Sequence, residues 1–346
     1  MNILQKIFND YYEVIKYTLH PRDSEMENID KMLNCGDPSF GGAMYVCTTC
    51  HNMKFVSFRC KSRFCPTCGV KYSQERSTRM AFKLLNCTHR HCVFTIDEEL
   101  RHFFLEDRSL LNCLFRAVQS VILRMFNKMN QSQNFVPGFI CVLHTFGRPL
   151  EWNPHIHCIL SEGGFSDNAI WRPVKHFNYT YLRNAFQTAL LNEMEQHIGP
   201  SFKKIKAYIY HKDKNGFYVY AKPNLCDPNT VIKYIGRYLG RPVIALKRID
   251  SYDGENVTFH YNRHEDNAYV KRTIPAIEFI KLLIQHIPEK HFKMIRYYGL
   301  PRNVLPVWPL SFLTAHTVIV FSQSMRDIVK LTQNFIVLFT NRNIAS

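Results

Sequence analysis

Three side-chain patterns in this chain could do chemistry. Cys35, Cys47, Cys50, Cys60, Cys65 and Cys68 crowd into one short stretch, and two of their gaps are C-x2-C. Each C-x2-C sets two thiolates about one turn apart. Two such turns face to face make a tetrahedral S4 cage, so the spacing predicts zinc on Cys47, Cys50, Cys65 and Cys68. Cys35, Cys60 and His51 are candidates for part of a second site, or simply sit beside the first. The second pattern is His155-Ile156-His157, which aims two imidazoles at the same face of a strand. The third is Tyr234 and Tyr238, four apart on a short helix, so that both hydroxyls share a face.

Each pattern has an ordinary explanation beside the chemical one. H-x-H is weak alone, but Phe139–His144 and His155–Leu160 read as strands separated by Gly147-Arg148-Pro149 and Asn153-Pro154. A hairpin centred near Pro149-Leu150 puts His144 across from His155. Three imidazoles then converge on one point, leaving open positions for water and a phosphate oxygen on a divalent ion. On spacing alone, a packed histidine cluster explains the pattern equally well. For the tyrosines, a buried aromatic stripe is the usual reading. Here the helix also carries Lys233, Arg237 and Arg241, which suits a phosphate backbone better than a core. A tyrosine hydroxyl is a poor nucleophile at neutral pH and needs a polarised phosphate, or a base, to attack.

The elements that must hold these groups are legible in outline. Residues 1–34 carry Ile3, Ile7, Tyr11, Val14, Ile15 and Leu19 at helical spacing. The cysteine block follows over 35–70, with Lys54–Phe58 alternating like a hairpin arm of a zinc ribbon, and 71–86 reads as a helix. His91–Ile96 reads as a strand, and 109–130 as a helix with Leu110, Leu111, Leu114, Val118, Val121, Ile122 and Met125 on one face. A second amphipathic helix is expected over 179–198, then a β segment Lys206–His211 and Gly216–Tyr220. Asp227-Pro228 caps the tyrosine helix, and Gly240 followed by Arg241-Pro242 ends it. Strands with a turn at Asp253-Gly254 fill 243–274, and 275–287 is a helix. Helices mixed with adjacent antiparallel hairpins give an α+β chain. The expected division is 1–34 helical lead-in, 35–86 zinc module and linker helix, 87–302 catalytic domain and 303–346 apolar tail.

Charge and cysteine usage narrow the function. The 346 residues hold 44 Lys+Arg against 28 Asp+Glu, a net +16, which points to nucleic acid before a membrane surface. The N-terminal MNILQKIFNDYYEVIKY has acidic residues breaking its apolar positions, so no secretory signal is expected and clustered cysteines read as metal ligands. The other six cysteines, scattered singly, read as small buried hydrophobes. Val304–Phe321 is apolar but holds two prolines and His316, which argues against a membrane span. Lys54, Arg59, Lys61, Arg63 and Lys71 make the cysteine block a DNA-contacting surface.

Several motifs in order, FRCKSRFCPTC, HCVFTIDEELR, LHTFGRPLEWNPHIHCIL, FYVYAKPN, KYIGRYLGRP and IEFIKLLIQHIPEKHFKMIRYYGL, give the chain a family resemblance. It resembles the two-tyrosine HUH transposases of rolling-circle insertion sequences over roughly residues 30–302. Phe64 stands where that family carries histidine, and the tail departs from the family's usual C-terminus. The resemblance implies an antiparallel-sheet HUH endonuclease domain preceded by a small zinc-ribbon-like module. His155 and His157 would be ligands of a catalytic Mg2+ or Mn2+, with His144 the third, and Tyr234 and Tyr238 the paired nucleophiles. It implies strand cleavage and transfer through a 5′-phosphotyrosine on single-stranded or melted transposon ends, in a prokaryotic cytoplasm at the nucleoid. Lys222, Arg237 and Arg241 are the candidate phosphate contacts. The same chemistry would serve a plasmid replication initiator or relaxase. A non-catalytic zinc-ribbon regulator would explain the charge and the cysteines but neither the histidines nor the tyrosines.

Overall fold

Two long strands, β4 (Phe135–Phe146) and β5 (Trp152–Ser166), form the antiparallel hairpin on which the fold is organised. The structure, a computed structural model, describes residues 1–81, 84, 87–129, 135–166, 170–174, 179–221, 242–263, 265–299 and 335–339. β5 is flanked on its other side by β3 (His89–Phe94), then by β7 (Val219–Tyr220), while β11 (Ile295–Tyr298) closes the β4 edge. The short β6 (Trp171–Pro173) adds to the far end of β5. Every pairing in this sheet is antiparallel, as an α+β chain requires.

Period-two alternation decides which face each residue serves. Cys92, Phe94, Phe139, Cys141, Leu143, Ile156, Cys158 and Leu160 point to the face covered by two helices, α6 (Leu111–Met129) and α7 (Tyr179–Ile198). The stripe expected on α6 is buried there in full, and α7 adds Leu182, Phe186, Leu190, Leu191 and Met194. α6 is long and apolar enough to cross a membrane by composition, but it is a core helix with most of its surface buried. Each of these large side chains stabilises the fold by roughly 1.5–3 kcal/mol. The opposite face carries the histidines at one end and, at the other, a small apolar cluster of Leu84, Ile140, Val142 and Ile159.

The second core joins parts of the chain that are far apart in sequence. Helices α1 (Ile3–Asp10) and α3 (Asp23–Leu33) give it Leu4, Ile7, Phe8, Ile29 and Met32, and the π-helical turn Ile15–Leu19, which follows the one-turn α2 (Tyr12–Val14), adds Ile15. They meet Phe64, Cys65 and Cys68, together with a three-stranded sheet, β8 (Ile249–Tyr252), β9 (Asn256–Asn262) and β10 (Tyr269–Pro275), and α9 (Ala276–Ile284). Asn2 and Gln5 form a reciprocal cap at the start of α1, and the Gln5 amide donates to the Met32 carbonyl at 2.9 Å, tying α1 to the end of α3. Phe64 packs edge-on against Phe8 with centroids 5.6 Å apart, an apolar role for that position. The lead-in thus shares a core with residues 244–287.

The β4–β5 turn is pinned to this second core. Leu150 is buried in a left-handed conformation (φ 72°), and its carbonyl accepts from His286 Nε2 at 2.8 Å. His286 also contacts Thr145 Oγ1 at 3.1 Å and stacks on Trp152, so this buried histidine is a packing residue of the hairpin.

Two expectations change. Lys206–His211, which alternates like a strand, lies inside a helix, α8 (Lys203–Lys212). Pro200 starts a 3-10 turn after Gly199, Ile205 and Ile209 pack four apart, and Lys206 reaches Asn192 and Glu195 of α7 at 2.6 Å. The helix expected over 71–86 begins earlier, as α4 (Pro66–Ala81), because Pro66 supplies a preformed first turn directly after Cys65.

Candidate active site

Register brings the three histidines together. His144 pairs with His155 and Val142 with His157, so His144, His155 and His157 all project from one face of the central hairpin. One ring nitrogen from each falls within 4.8 Å of the others. The ring centroids are 5.6 Å (His144–His155), 4.6 Å (His144–His157) and 4.9 Å (His155–His157) apart, with planes crossing at 62–71°. Such rings aim nitrogens at a common point; they do not stack.

The hydrogen bonds fix which nitrogen is available. His155 Nδ1 lies 2.7 Å from the Asn153 carbonyl, which can only accept, so Nδ1 carries the proton and Nε2 is bare. That Nε2 sits 3.1 Å from His157 Nε2. Two nitrogens at this spacing can share one ion at the ~2.1 Å typical of imidazole–metal bonds. Burial pushes the pKa of His155 down, and that of His157 well down, with the other imidazoles adding to the shift at His157. Both are held neutral, as ligation demands.

One neighbour was not singled out from the sequence. Arg101, at the start of α5 (Arg101–Glu106), acts electrostatically on His155. Its Nε is buried without a hydrogen-bond partner among the described residues. A buried guanidinium N–H close enough to act electrostatically on His155 has the chemistry to meet a phosphate oxygen. Arginine in HCVFTIDEELR was the available signal, overlooked beside the histidines.

The cysteines assemble differently from their spacing. Cys35, Cys60, Cys65 and Cys68 bring their sulfurs within 4.8 Å of one another, with Cys35 and Cys68 3.6 Å apart. A tetrahedral zinc with ~2.3 Å bonds needs S···S near 3.8 Å, so this set fits a structural zinc ion. Cys47 and Cys50, placed in the tetrad by the C-x2-C argument, are elsewhere. They occupy the turn of the hairpin formed by β1 (Gly42–Cys47) and β2 (Met53–Ser57), whose ladder runs from Gly42–Ser57 to Val46–Met53. That ladder carries the turn roughly 13 Å from the hairpin base. Cys35 and Cys60 flank the base, and so they reach Cys65 and Cys68. Strand β12 (Phe335–Phe339) pairs with the other edge of β1.

The cluster is shaped for thiolates. Cys65 precedes α4 and takes the Cys68 backbone N–H; with the neighbouring Cys60 thiol as the largest influence, its pKa falls to about 5. Cys60 is driven the opposite way by the same contact and by burial. Gly69 follows with no room for a side chain, since a Cβ would stand 2.6 Å from the Arg63 carbonyl. At the hairpin tip, backbone N–H groups of Cys50 and Thr49 lower the pKa of Cys47. Among the described residues no group of three or more ligands includes Cys47 or Cys50.

Tyr234, Tyr238, Lys222, Arg237 and Arg241 lie outside the described residues. Just before that segment, the Ala221 carbonyl accepts from Arg90 at 2.9 Å, and Arg90 is in turn paired with Glu162 at 2.6 Å.

A four-cysteine cluster ahead of an antiparallel sheet that presents three converging imidazoles is the make-up of a zinc-bearing transposase. The family model described as "Transposase zinc-binding domain" matches residues 7–96, and the one described as "Putative transposase" matches residues 138–305. Together, these matches and the relatives below support a rolling-circle insertion-sequence transposase with an N-terminal zinc-binding domain. It is 29% identical over 297 residues to the "Transposase for insertion sequence element IS801" of Pseudomonas savastanoi pv. phaseolicola, covering 82% of this chain and 71% of that one. It is also 29% identical over 290 residues to the "Putative transposase y4qJ" of Sinorhizobium fredii, covering 78% and 72%. No solved structure matches.

Proposed function

We propose that this transposase cuts and transfers single-stranded or melted transposon ends through a 5′-phosphotyrosine, at a Mg2+ or Mn2+ site made by His144, His155 and His157. The convergence of those three imidazoles on one sheet face carries the reading. When bound, the divalent ion supplies Lewis acidity to the scissile phosphate. The histidines stay neutral and orient their bare nitrogens. Arg101 meets a non-bridging phosphate oxygen, and Tyr234 or Tyr238 attacks phosphorus through its hydroxyl oxygen. The P–O3′ bond breaks, the phenolic proton passes to solvent, and the departing O3′ takes one proton from solvent, leaving a 3′-hydroxyl for rejoining. The second tyrosine would cleave the other junction, so the strand moves without a free double-strand break.

In this reading residues 35–86 hold the element end around a zinc ion, and 87–302 carry out cleavage. Lys222, Arg237 and Arg241 contact phosphates, and the protein works on DNA in the bacterial cytoplasm, at the nucleoid. The test is incubation with end-labelled single-stranded element-end DNA and Mn2+, read as a protein–DNA adduct on a denaturing gel. An adduct in wild type that disappears when Tyr234→Phe and Tyr238→Phe are combined is expected. No adduct in wild type, or one that survives the double substitution, overturns the proposal.

A further inference from the structure

We infer that His91 is a positioning residue for the histidine site: it accepts the Nδ1 proton of His157 and so sets the tautomer and ring angle with which His157 presents Nε2. The inference rests on the proposed metal site. His157 points Nε2 at His155 Nε2, 3.1 Å away, on the side where the three imidazoles converge. A neutral imidazole that ligates through Nε2 must carry its proton on Nδ1. The group facing His157 Nδ1 is His91 Nε2, at 2.9 Å. The ring centroids are 5.2 Å apart, which matches the 2.9 Å N···N distance plus about one ring radius on each side, and the planes differ by 9°, so the contact lies in both ring planes, where nitrogen lone pairs and N–H bonds point.

The strand arrangement makes this contact a built one. β3 pairs with β5 so that Val93 opposes His157, and His91, two residues back, shares that face on the diagonal. Both rings are buried, at 5% and 8% exposure. To accept from His157, His91 must itself be neutral with its proton on Nδ1. His155 is oriented in the same manner by the Asn153 carbonyl, so two ligands have outer partners of neutral type. A neutral acceptor orients its ligand without adding negative charge, which leaves the ion's pull on a phosphate undiminished.

The test uses the full-length, zinc-loaded protein and Mn2+ alone, with affinity read by electron paramagnetic resonance. Removing an outer partner typically costs 10–100-fold in metal affinity. His91→Leu, which cannot accept, is expected to weaken Mn2+ binding by about that factor. His91→Gln, whose amide oxygen can accept, should restore most of it. A structural role for His91 would not separate these two variants at equal thermal stability. Nitrogen-15 NMR of the wild-type histidines in the Mg2+-loaded protein provides a second arm that needs no variant to fold: His157 protonated on Nδ1 and His91 bare at Nε2 is expected. The opposite tautomers, or equal Mn2+ affinity in His91→Leu and wild type, overturn the inference. Wild type that binds no Mn2+ in a His157-dependent way removes the metal site itself, a distinguishable failure.

Discussion

On the histidine face, three candidate ligands come from two hydrogen-bonded neighbours of one sheet; in the cysteine cluster, four come from the end of α3, the base of a hairpin and the start of α4. The first is templated by ladder register, which repeats every two residues and cannot slip without turning the hydrophobic face of the hairpin to solvent. The second depends on the path of loops, where the backbone holds less of the geometry and the metal must supply it. Local spacing is therefore a good guide to ligands in a sheet and a poor one in a knuckle.

The largest effects should come from the chemistry on the sheet. His157→Ala is expected to lower adduct formation by at least ~10³-fold, because both metal retention and phosphate polarisation are lost. The fold should survive, since the strand keeps its ladder; circular dichroism and adduct yield together check this. An active His157→Ala would mean that the converged imidazoles are only packing.

The cysteines should behave in the opposite sense, with stability lost first. Cys65→Ser is expected to release the ion and cost several kcal/mol, since structural zinc contributes folding energy directly. Cys47→Ser should leave that ion in place. Zinc content per chain and thermal unfolding of the two variants decide between the observed tetrad and one that includes Cys47 and Cys50.

A smaller effect concerns acid stability. Burial pushes the pKa of His286 down to about 4 from 6.5, so the folded state resists a proton that the unfolded chain accepts. Stability from this residue is complete above pH 6.5 and is lost as pH falls toward about 4. Replacing it by His286→Gln should flatten the decline in thermal midpoint across that window. An unchanged slope would mean that His286 does not contribute to the acid sensitivity of the turn.

The mildest change is Arg101→Ala, expected to reduce adduct formation ~10-fold through one lost phosphate contact. Mn2+ affinity should hold, because Arg101 is no ligand. Lost Mn2+ affinity would instead place Arg101 in the support of His155.

Much of this was readable before any coordinates. The α6 stripe, the α7 span and the pairing of His144 with His155 follow from periodicity and from turn residues in GRPLEWNP. Lys206–His211 misled because AYIY fits a period of two as well as it fits Ile205 and Ile209 four apart, and packing against α7 resolves the tie. His91 carried no local signal. Its H-x-H with His89 resembles many surface pairs, and its value lies in a strand that meets β5 from elsewhere in the chain.

Residue order alone supplied the candidate chemical groups: clustered thiols, a histidine hairpin, paired tyrosines and an excess of basic residues. Those are properties of side-chain type and short-range spacing, which the backbone periods preserve. Which four thiols meet, what faces His157 from behind, and that residues 1–34 share a core with 244–287 were decided by tertiary packing. Contacts between distant segments depend on how whole elements bury their apolar faces, and no local spacing encodes that.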